Sequence, residues 1–184
     1  MSIIDPIERQ RAHAETRLAD YYAKALEESE RFRKEYEGRL NVVKASQMPF
    51  ERSPDGLIKH IINEQMDTKE CCIDIYMQFL PPGMASGKHR HLSEEIFYVV
   101  EGRGFDLHWD VRFDCTNKFE WRWDEEPKRF EWNQGDFVYI PPYCAHKHFN
   151  ADPENEARII VVNSRMLKPM GFDWFEQLEN AEGY

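Results

Sequence analysis

Residues 83–102 read Gly-Met-Ala-Ser-Gly-Lys-His-Arg-His-Leu-Ser-Glu-Glu-Ile-Phe-Tyr-Val-Val-Glu-Gly, and this stretch decides the fold. His89 and His91 are separated by one residue, and alternate residues of a β-strand share one face. A turn after them allows Glu95 to return to the same point. The stretch therefore predicts a strand, a turn and a second strand that bring two imidazoles and one carboxylate into a single cavity.

A second cluster follows about fifty residues later. Residues 135–150 read Gly-Asp-Phe-Val-Tyr-Ile-Pro-Pro-Tyr-Cys-Ala-His-Lys-His-Phe-Asn. With His146 added, three imidazoles and one carboxylate form a mixed nitrogen and oxygen ligand set for a divalent transition metal, with room for water or substrate. Glu94 is the rival of Glu95, but the strand register and the spacing both favour Glu95.

The two clusters resemble the paired motifs of the cupin superfamily, G-x5-H-x-H-x3-E-x6-G and G-x5-P-x-G-x2-H-x3-N. Every defined position of the first motif is present; in the second, Tyr143 stands where the family usually has glycine. The resemblance implies an all-β core of the double-stranded β-helix or jelly-roll type and metal binding by His89, His91, Glu95 and His146. Glycine often marks a position with positive φ, so the Tyr143 departure concerns the local turn and brings a phenol near the mouth of the site.

Composition narrows the class of protein. A chain of 184 residues fits one domain with extensions, and an aromatic content of 14% argues against disorder. The formal charge of −10 disfavours nucleic acid as a partner. No apolar stretch reaches membrane-spanning length, and the first residues have no apolar core of a secretory signal. We therefore expect a cytoplasmic protein that does not bind membranes. Cys144 is expected to be a buried, reduced thiol.

The sequence divides into three segments. Residues 1–70 are expected to hold an N-terminal helix, starting at Asp5-Pro6, and connecting segments with short strands, the best of them at 57–62. Residues 71–165 are expected to form a single cupin barrel. Residues 166–184 are expected to form a C-terminal helical tail, because Asp173-Trp-Phe-Glu176 has a capping-box pattern. This apolar tail is expected to cover one barrel edge or the barrel mouth.

The connection 103–134 is long and rich in aromatic residues. It predicts an added β-hairpin with an aromatic face, which would pack on a sheet, form a dimer interface or line the pocket for a ring-shaped substrate. His108 falls on the polar face of this alternation, away from the aromatic one, and we do not expect it to line the pocket. On the strand that starts near residue 71, Asp74, Tyr76 and Gln78 face the cavity if the apolar face packs outward.

Two further side chains are candidates for catalysis. His148 follows His146 by two residues and shares its strand face, so it can act as a base, bind substrate or simply fill the barrel. Tyr139 is a hydroxyl candidate that is equally compatible with the core. His148 and Tyr139 are therefore the two candidate catalytic residues.

The ligand set predicts the chemistry. One carboxylate against a divalent ion leaves a charge of +1 in a water-poor barrel, which favours an anionic small-molecule substrate. The leading hypothesis is an Fe(II) dioxygenase that acts on a small phenolic or enolisable oxygenated substrate; Mn(II), Ni(II) and Zn(II) are compatible with the same ligands. Two alternatives remain open: a non-redox lyase, isomerase or decarboxylase acting on a small carboxylate, and a small-molecule-binding cupin without turnover. A homodimer is expected.

Overall fold

The computed structural model describes residues 19–69, 72–172 and 174–184. Helix α1 spans Tyr21–Gly38, and a short 3-10 turn spans Ala45–Gln47. The strands are β1 Phe50–Ser53, β2 Gly56–Ile62, β3 Ile73–Leu80, β4 Lys88–His91, β5 Glu95–Glu101, β6 Arg103–Trp109, β7 Val111–Cys115, β8 Phe119–Trp123, β9 Lys128–Asn133, β10 Phe137–Ile140, β11 Ala145–Asn150, β12 Ala157–Ser164 and β13 Phe175–Glu179.

The N-terminal helix is confirmed over the part that the structure describes. α1 is rich in Ala, Leu, Glu and Lys, which are good helix formers, and Lys34 pairs with Glu30 one turn away at 3.0 Å. Its C-terminal end is closed by the Arg39 backbone N–H, which donates to the Tyr36 carbonyl. The predicted start at Asp5 lies outside the described residues.

The strands form a jelly roll of two main antiparallel sheets. The six-stranded sheet has the order β1-β2-β3-β12-β5-β10, and the five-stranded sheet has the order β13-β4-β11-β6-β9. β7 and β8 form a separate two-stranded hairpin. The cupin-type barrel predicted from the sequence is confirmed.

The core lies between the two sheets. Alternate residues of β5 point inward, so Phe97 and Val99 are fully buried whereas Ile96 is exposed. Phe97 meets Trp132 of the opposite sheet edge to face, with ring centroids 6.1 Å apart. Cys144 is buried and unpaired, as predicted. Burial of each large side chain contributes about 1.5–3 kcal/mol, so this cluster supplies much of the stability of the barrel.

The segment boundaries differ from those expected. β2 pairs with β3 along most of its length, so the barrel includes strands that precede residue 71. Within 103–134, β6 and β9 are strands of the five-stranded sheet, and only β7 and β8 form the added hairpin.

The predicted C-terminal helix is wrong. Residues 175–179 form β13, which pairs with the open edge of β4 so that Phe175 lies opposite His91. The pairing gives hydrogen-bond partners to backbone N–H and C=O groups of β4 that would otherwise have none. Such a tertiary interaction overrides the local capping-box pattern. The expectation that the tail covers a barrel edge is confirmed.

Tyr143 occupies a left-handed backbone conformation, with φ of 62°. This explains why glycine is usual at this motif position. The ring is only 6% exposed, and it packs against Trp121 at 4.0 Å and Trp174 at 5.2 Å between ring centroids. The Trp123 indole N–H also donates to the Tyr143 carbonyl at 2.8 Å. Tyr143 therefore anchors the β7–β8 hairpin to the barrel.

Replacing Tyr143 with glycine tests whether packing outweighs backbone strain. Truncation of a buried aromatic ring costs about 3–5 kcal/mol, and relief of the left-handed conformation returns about 1–2 kcal/mol. We expect Tyr143→Gly to lower the free energy of unfolding by roughly 2 kcal/mol in urea denaturation.

Asp67 also has positive φ, at 53°, but its side chain is exposed. Asp67→Gly relieves the same backbone conformation without loss of a buried ring, so it should leave the free energy of unfolding unchanged or raise it by up to about 1 kcal/mol. A more stable Tyr143→Gly protein would contradict the packing role.

Candidate metal centre

Three strands bring the predicted ligands together. His89 and His91 lie on β4, Glu95 begins β5, and His146 lies on β11 opposite His89 in the β4–β11 pair. The tight connection between β4 and β5 returns the chain so that the Glu95 carboxylate meets the two imidazoles. Pairing across the sheet, which the sequence alone does not show, adds the third imidazole.

The four side chains form one compact buried group. Each offers a ligand atom, and these atoms lie within 4.8 Å of one another. His91 Nε2 is 3.2 Å from Glu95 Oε2, and His146 Nε2 is 3.6 Å from Glu95 Oε1. Glu95 Oε1 and His146 Nε2 are buried without a hydrogen-bond partner among the described residues. Unpaired buried polar atoms that converge on one point fit a divalent transition metal.

Each ligand histidine is held by its other ring nitrogen. Nδ1 of His89 is 3.2 Å from the Asp55 carboxylate. Nδ1 of His91 donates to the Ser93 carbonyl at 2.8 Å, and Nδ1 of His146 donates to the Cys144 carbonyl at 3.0 Å. These contacts fix the tautomer that directs Nε2 into the group. Asp55 was not predicted, because it lies 34 residues before His89 and has no motif of its own.

Behind the ligands lies a second buried polar group centred on Asp106. His148 Nδ1 is 3.0 Å from Asp106 Oδ2, and its Nε2 is 3.5 Å from Glu95 Oε1. Trp132 donates to Asp106 Oδ1 at 2.8 Å, and His108 Nε2 lies 3.3 Å from Oδ2. His148 therefore connects Asp106 to the Glu95 carboxylate and lies behind it.

The polar face of β6 is the buried one, although His108 does not line the cavity beside the ligands. The polar face, with Gly104, Asp106 and His108, is buried, whereas Phe105 and Trp109 are only partly covered. His108 is 3% exposed, in the interior. The alternation along β6 left open which face the barrel encloses, and the structure shows that it encloses polar groups around the ligand cluster. Gly104 lies where a Cβ would collide with the Trp132 ring and the Phe149 carbonyl.

Charges in this interior are mutually compensated. Burial opposes ionisation of Glu95, yet His146, His148 and His91 hold the pKa of its carboxyl well below its usual range. Burial lowers the pKa of His146 well below its ordinary value, and the neighbouring His89 lowers it further. Burial also opposes a charge on His148, but Asp106 and Glu95 raise the pKa of His148 well above its usual range. Glu95 is thus a carboxylate and His146 a neutral imidazole, the states that ligate metals.

The two candidate catalytic residues lie in opposite environments. His148 is fully buried behind Glu95. Tyr139 is 53% exposed, on the face of β10 opposite the buried Ile140. The structure does not bring Tyr139 to the ligand group.

A cavity of about 730 Å³ opens beside the ligands. His91 forms part of its wall, and the Phe175 ring stacks on that imidazole with an interplanar angle of 8°. Asp74 and Tyr76 line the cavity, as the sequence predicted. Gln78 is fully buried and donates to Asp55 instead. The remaining lining includes Phe50, His60, Asn63, Ser93, Asn163, Arg165 and Trp174.

Comparison with known proteins identifies related chains. The model of a family described as "Auxin binding protein" matches residues 37–177. Auxin-binding protein T85 of Nicotiana tabacum is 27% identical over 93 residues, which are 50% of this chain and 46% of the relative. Auxin-binding protein 4 of Zea mays is 26% identical over 98 residues, covering 53% of this chain and 43% of the relative. The matches span less than half the length of these relatives.

Solved structures show the same fold. Oxalate decarboxylase from Bacillus subtilis superposes with a TM-score of 0.54 and 16% identity, covering 74% of this chain and 31% of that chain. The capsular polysaccharide assembling protein CapF from Staphylococcus aureus gives a TM-score of 0.50 and 21% identity, covering 72% and 32%. Within residues 19–69, 72–172 and 174–184, no helix is long and apolar enough to cross a membrane.

Substitution of a proposed ligand should weaken metal binding more than substitution of a residue that only orients a ligand. Loss of a residue that only orients a ligand costs about 10–100-fold in metal affinity. We expect Asp55→Asn to fall in that range and His146→Ala to lose more than about 100-fold. The measurement is metal content by elemental analysis, with affinity from competition against a chelating dye.

His60→Ala is the matched control. His60 lines the same cavity but pairs with Glu51 and lies outside the ligand group. We expect it to retain metal at the level of the unmodified protein. Full metal occupancy in His146→Ala would contradict the ligand assignment.

Proposed function

Because the chain belongs to the auxin-binding protein family of the cupin superfamily, we propose that it is a metal-dependent cupin that binds a small organic acid. The ligands of the metal are His89, His91, Glu95 and His146, and the acid occupies the cavity beside His91. Fe(II) is the proposed metal, and Mn(II), Ni(II) and Zn(II) suit the same donors.

The charge of the buried ligand set is the observation that carries this proposal. Imidazoles bind a metal in their neutral form, so three imidazoles and one carboxylate would contribute a single negative charge, and all four side chains are buried. When bound, a divalent metal supplies a net positive charge and free coordination positions that an anionic oxygen can take. A site of this charge in a barrel interior selects anions over neutral molecules.

The cavity walls suit an acid with an apolar body. Phe50, Trp174 and Phe175 supply aromatic surface, whereas Asn163 and Tyr76 supply polar groups near the ligand cluster. Aromatic surface together with placed polar groups is typical of small-molecule sites. The relatives are named for binding auxin, and auxin is therefore one ligand to test.

For the reaction, we propose an Fe(II)-dependent dioxygenase that adds oxygen to the bound phenolic or enolisable acid. A non-redox lyase, isomerase or decarboxylase needs a protein group that reaches the substrate to move a proton. Neither His148, behind Glu95, nor Tyr139, on the outer face of β10, lines the cavity. His60 and Tyr76 do line the cavity and are groups that can move a proton, so the non-redox enzyme remains the alternative. The dioxygenase is proposed on the ligand set, whose free coordination positions would admit substrate and oxygen side by side. A cytoplasmic location and a homodimer stay predictions of the sequence.

Binding and turnover can be separated in one set of assays. We expect small aromatic acids, auxin included, to bind iron-loaded protein in calorimetry under nitrogen and not to bind His146→Ala. On admission of oxygen, we expect acid consumption matched by oxygen uptake in equal molar amounts, measured by chromatography and an oxygen electrode.

Other outcomes have defined meanings. Consumption of the acid under nitrogen would replace the dioxygenase with the non-redox alternative. Binding without consumption under either gas would identify a small-molecule-binding protein. Equal binding by His146→Ala would overturn the metal-dependent site itself.

A further inference from the structure

Asn163 lies next to the ligand cluster but is absent from both sequence motifs. It is near the end of β12, where it pairs with Asp74 of β3 on one side and with Glu95 of β5 on the other. Neighbouring strands are about 4.8 Å apart, so these three residues form a row across the sheet. Ile159 and Val161 of β12 are buried, and Asn163 follows the same alternation onto the inner face. Asn163 is thus the neighbour of the Glu95 carboxylate at the cavity wall.

One end of the Asn163 amide is held and the other is not. The amide lies within reach of the Tyr76 hydroxyl, because Asn163 acts to lower the pKa of Tyr76 as a hydrogen-bond donor would, and Tyr76 also lines the cavity. Asn163 Oδ1 is buried and accepts no hydrogen bond from any residue that the structure describes. A buried acceptor that receives no hydrogen bond costs free energy. A ligand that donates a hydrogen bond to this oxygen should therefore bind more tightly than one that does not.

The neighbouring groups reinforce this preference for a donor. Burial, then the charge of Glu95, raises the pKa of Tyr76 well above its usual range, so its hydroxyl remains neutral. Asp74, at the end of the row, is engaged by Arg165 at 2.9 Å. The side of the cavity next to Glu95 therefore presents a neutral amide oxygen and a neutral hydroxyl rather than a free cation. A second carboxylate on the ligand would find no charge complement at Asn163.

We propose that Asn163, oriented by Tyr76, is a specificity-determining residue that selects organic acids carrying an O–H or N–H group near the carboxylate. This inference rests on the proposed function, because the carboxylate of the ligand occupies the metal. The strand register limits how far apart the two groups of the ligand can be. Asn163 and Glu95 are directly paired, so the donor group of the ligand should lie within a few bonds of the oxygen that coordinates the metal. Hydroxy acids, amino acids and phenolic acids with a neighbouring hydroxyl meet this condition, and acceptor-only dicarboxylates do not.

A matched pair of probes tests the proposal. Mandelate and phenylacetate differ by one hydroxyl group next to the carboxylate. Titration calorimetry on zinc-loaded protein, which has no redox chemistry, gives the ratio of the two affinities. We expect Asn163→Leu, which is nearly isosteric, to lower the preference for mandelate by about tenfold while phenylacetate affinity and zinc content stay unchanged. If the mandelate hydroxyl were bound only by the metal, the unmodified protein and Asn163→Leu would show the same preference for mandelate over phenylacetate.

Two further variants complete the design. Tyr76→Phe removes the hydroxyl that holds the amide and keeps the ring, so it should lower the same preference even if Asn163→Leu fails to fold. Asn63 lines the same cavity with both ends of its amide hydrogen-bonded, and Asn63→Leu should leave the preference unchanged.

The possible failures are distinct. A mandelate preference that survives in both Asn163→Leu and Tyr76→Phe would overturn the role of Asn163 while leaving the metal-dependent binding of acids intact. Absence of binding by either acid to the unmodified zinc-loaded protein would overturn the proposed binding of acids, and the role of Asn163 with it.

Discussion

The burial of Glu95 is the constraint on which the rest of the site depends. A carboxylate without solvent exposure is strongly unfavourable unless it is paired. His91, His146 and His148 surround it, and His148 in turn requires the buried Asp106. Asp106 is then satisfied by Trp132 and His108. One buried charge thus explains why this end of the barrel is filled with polar groups, although a jelly-roll interior is usually apolar.

Local spacing made much of this predictable. The H-x-H alternation, the turn to Glu95 and the second cluster predicted both the fold and the ligand group, because these contacts depend on strand period and short connections. Asp55 and Asn163 were not identified, since they reach the site through pairing between distant strands. The burial of the polar face of β6 was open for a related reason: alternation shows that a strand has two faces but not which one the barrel encloses. The helix expected after Asp173 failed because the open edge of β4 offered a partner.

Tyr143 shows how the barrel and its added hairpin are linked. A position that favours glycine carries a tyrosine, and the strain of its left-handed backbone is offset by packing against Trp121 and Trp174. Trp174 also lines the cavity and directly precedes β13, whose Phe175 stacks on His91. The aromatic residues of the hairpin and of the C-terminal segment are therefore part of one continuous packing unit that reaches His91, one of the proposed metal ligands.

Stability and binding are consequently linked in this protein. Glu95 Oε1, His146 Nε2, His148 Nε2 and Asn163 Oδ1 are buried without a hydrogen bond from the described residues. Glu95 Oε1 lies 3.5 Å from His148 Nε2 and 3.6 Å from His146 Nε2, so the charges offset part of the cost of burying it. Asn163 Oδ1 accepts no hydrogen bond from the described residues, and an unpaired buried acceptor costs about 1–3 kcal/mol, a sizeable share of a typical total stability of about 5–15 kcal/mol. Two of these unpaired atoms belong to the proposed metal ligands and one to the proposed acid subsite. A ligand that satisfies them binds only the folded chain and stabilises it by mass action. The polar atoms that lack hydrogen-bond partners in the folded barrel are therefore the ones that the proposed metal and acid would satisfy.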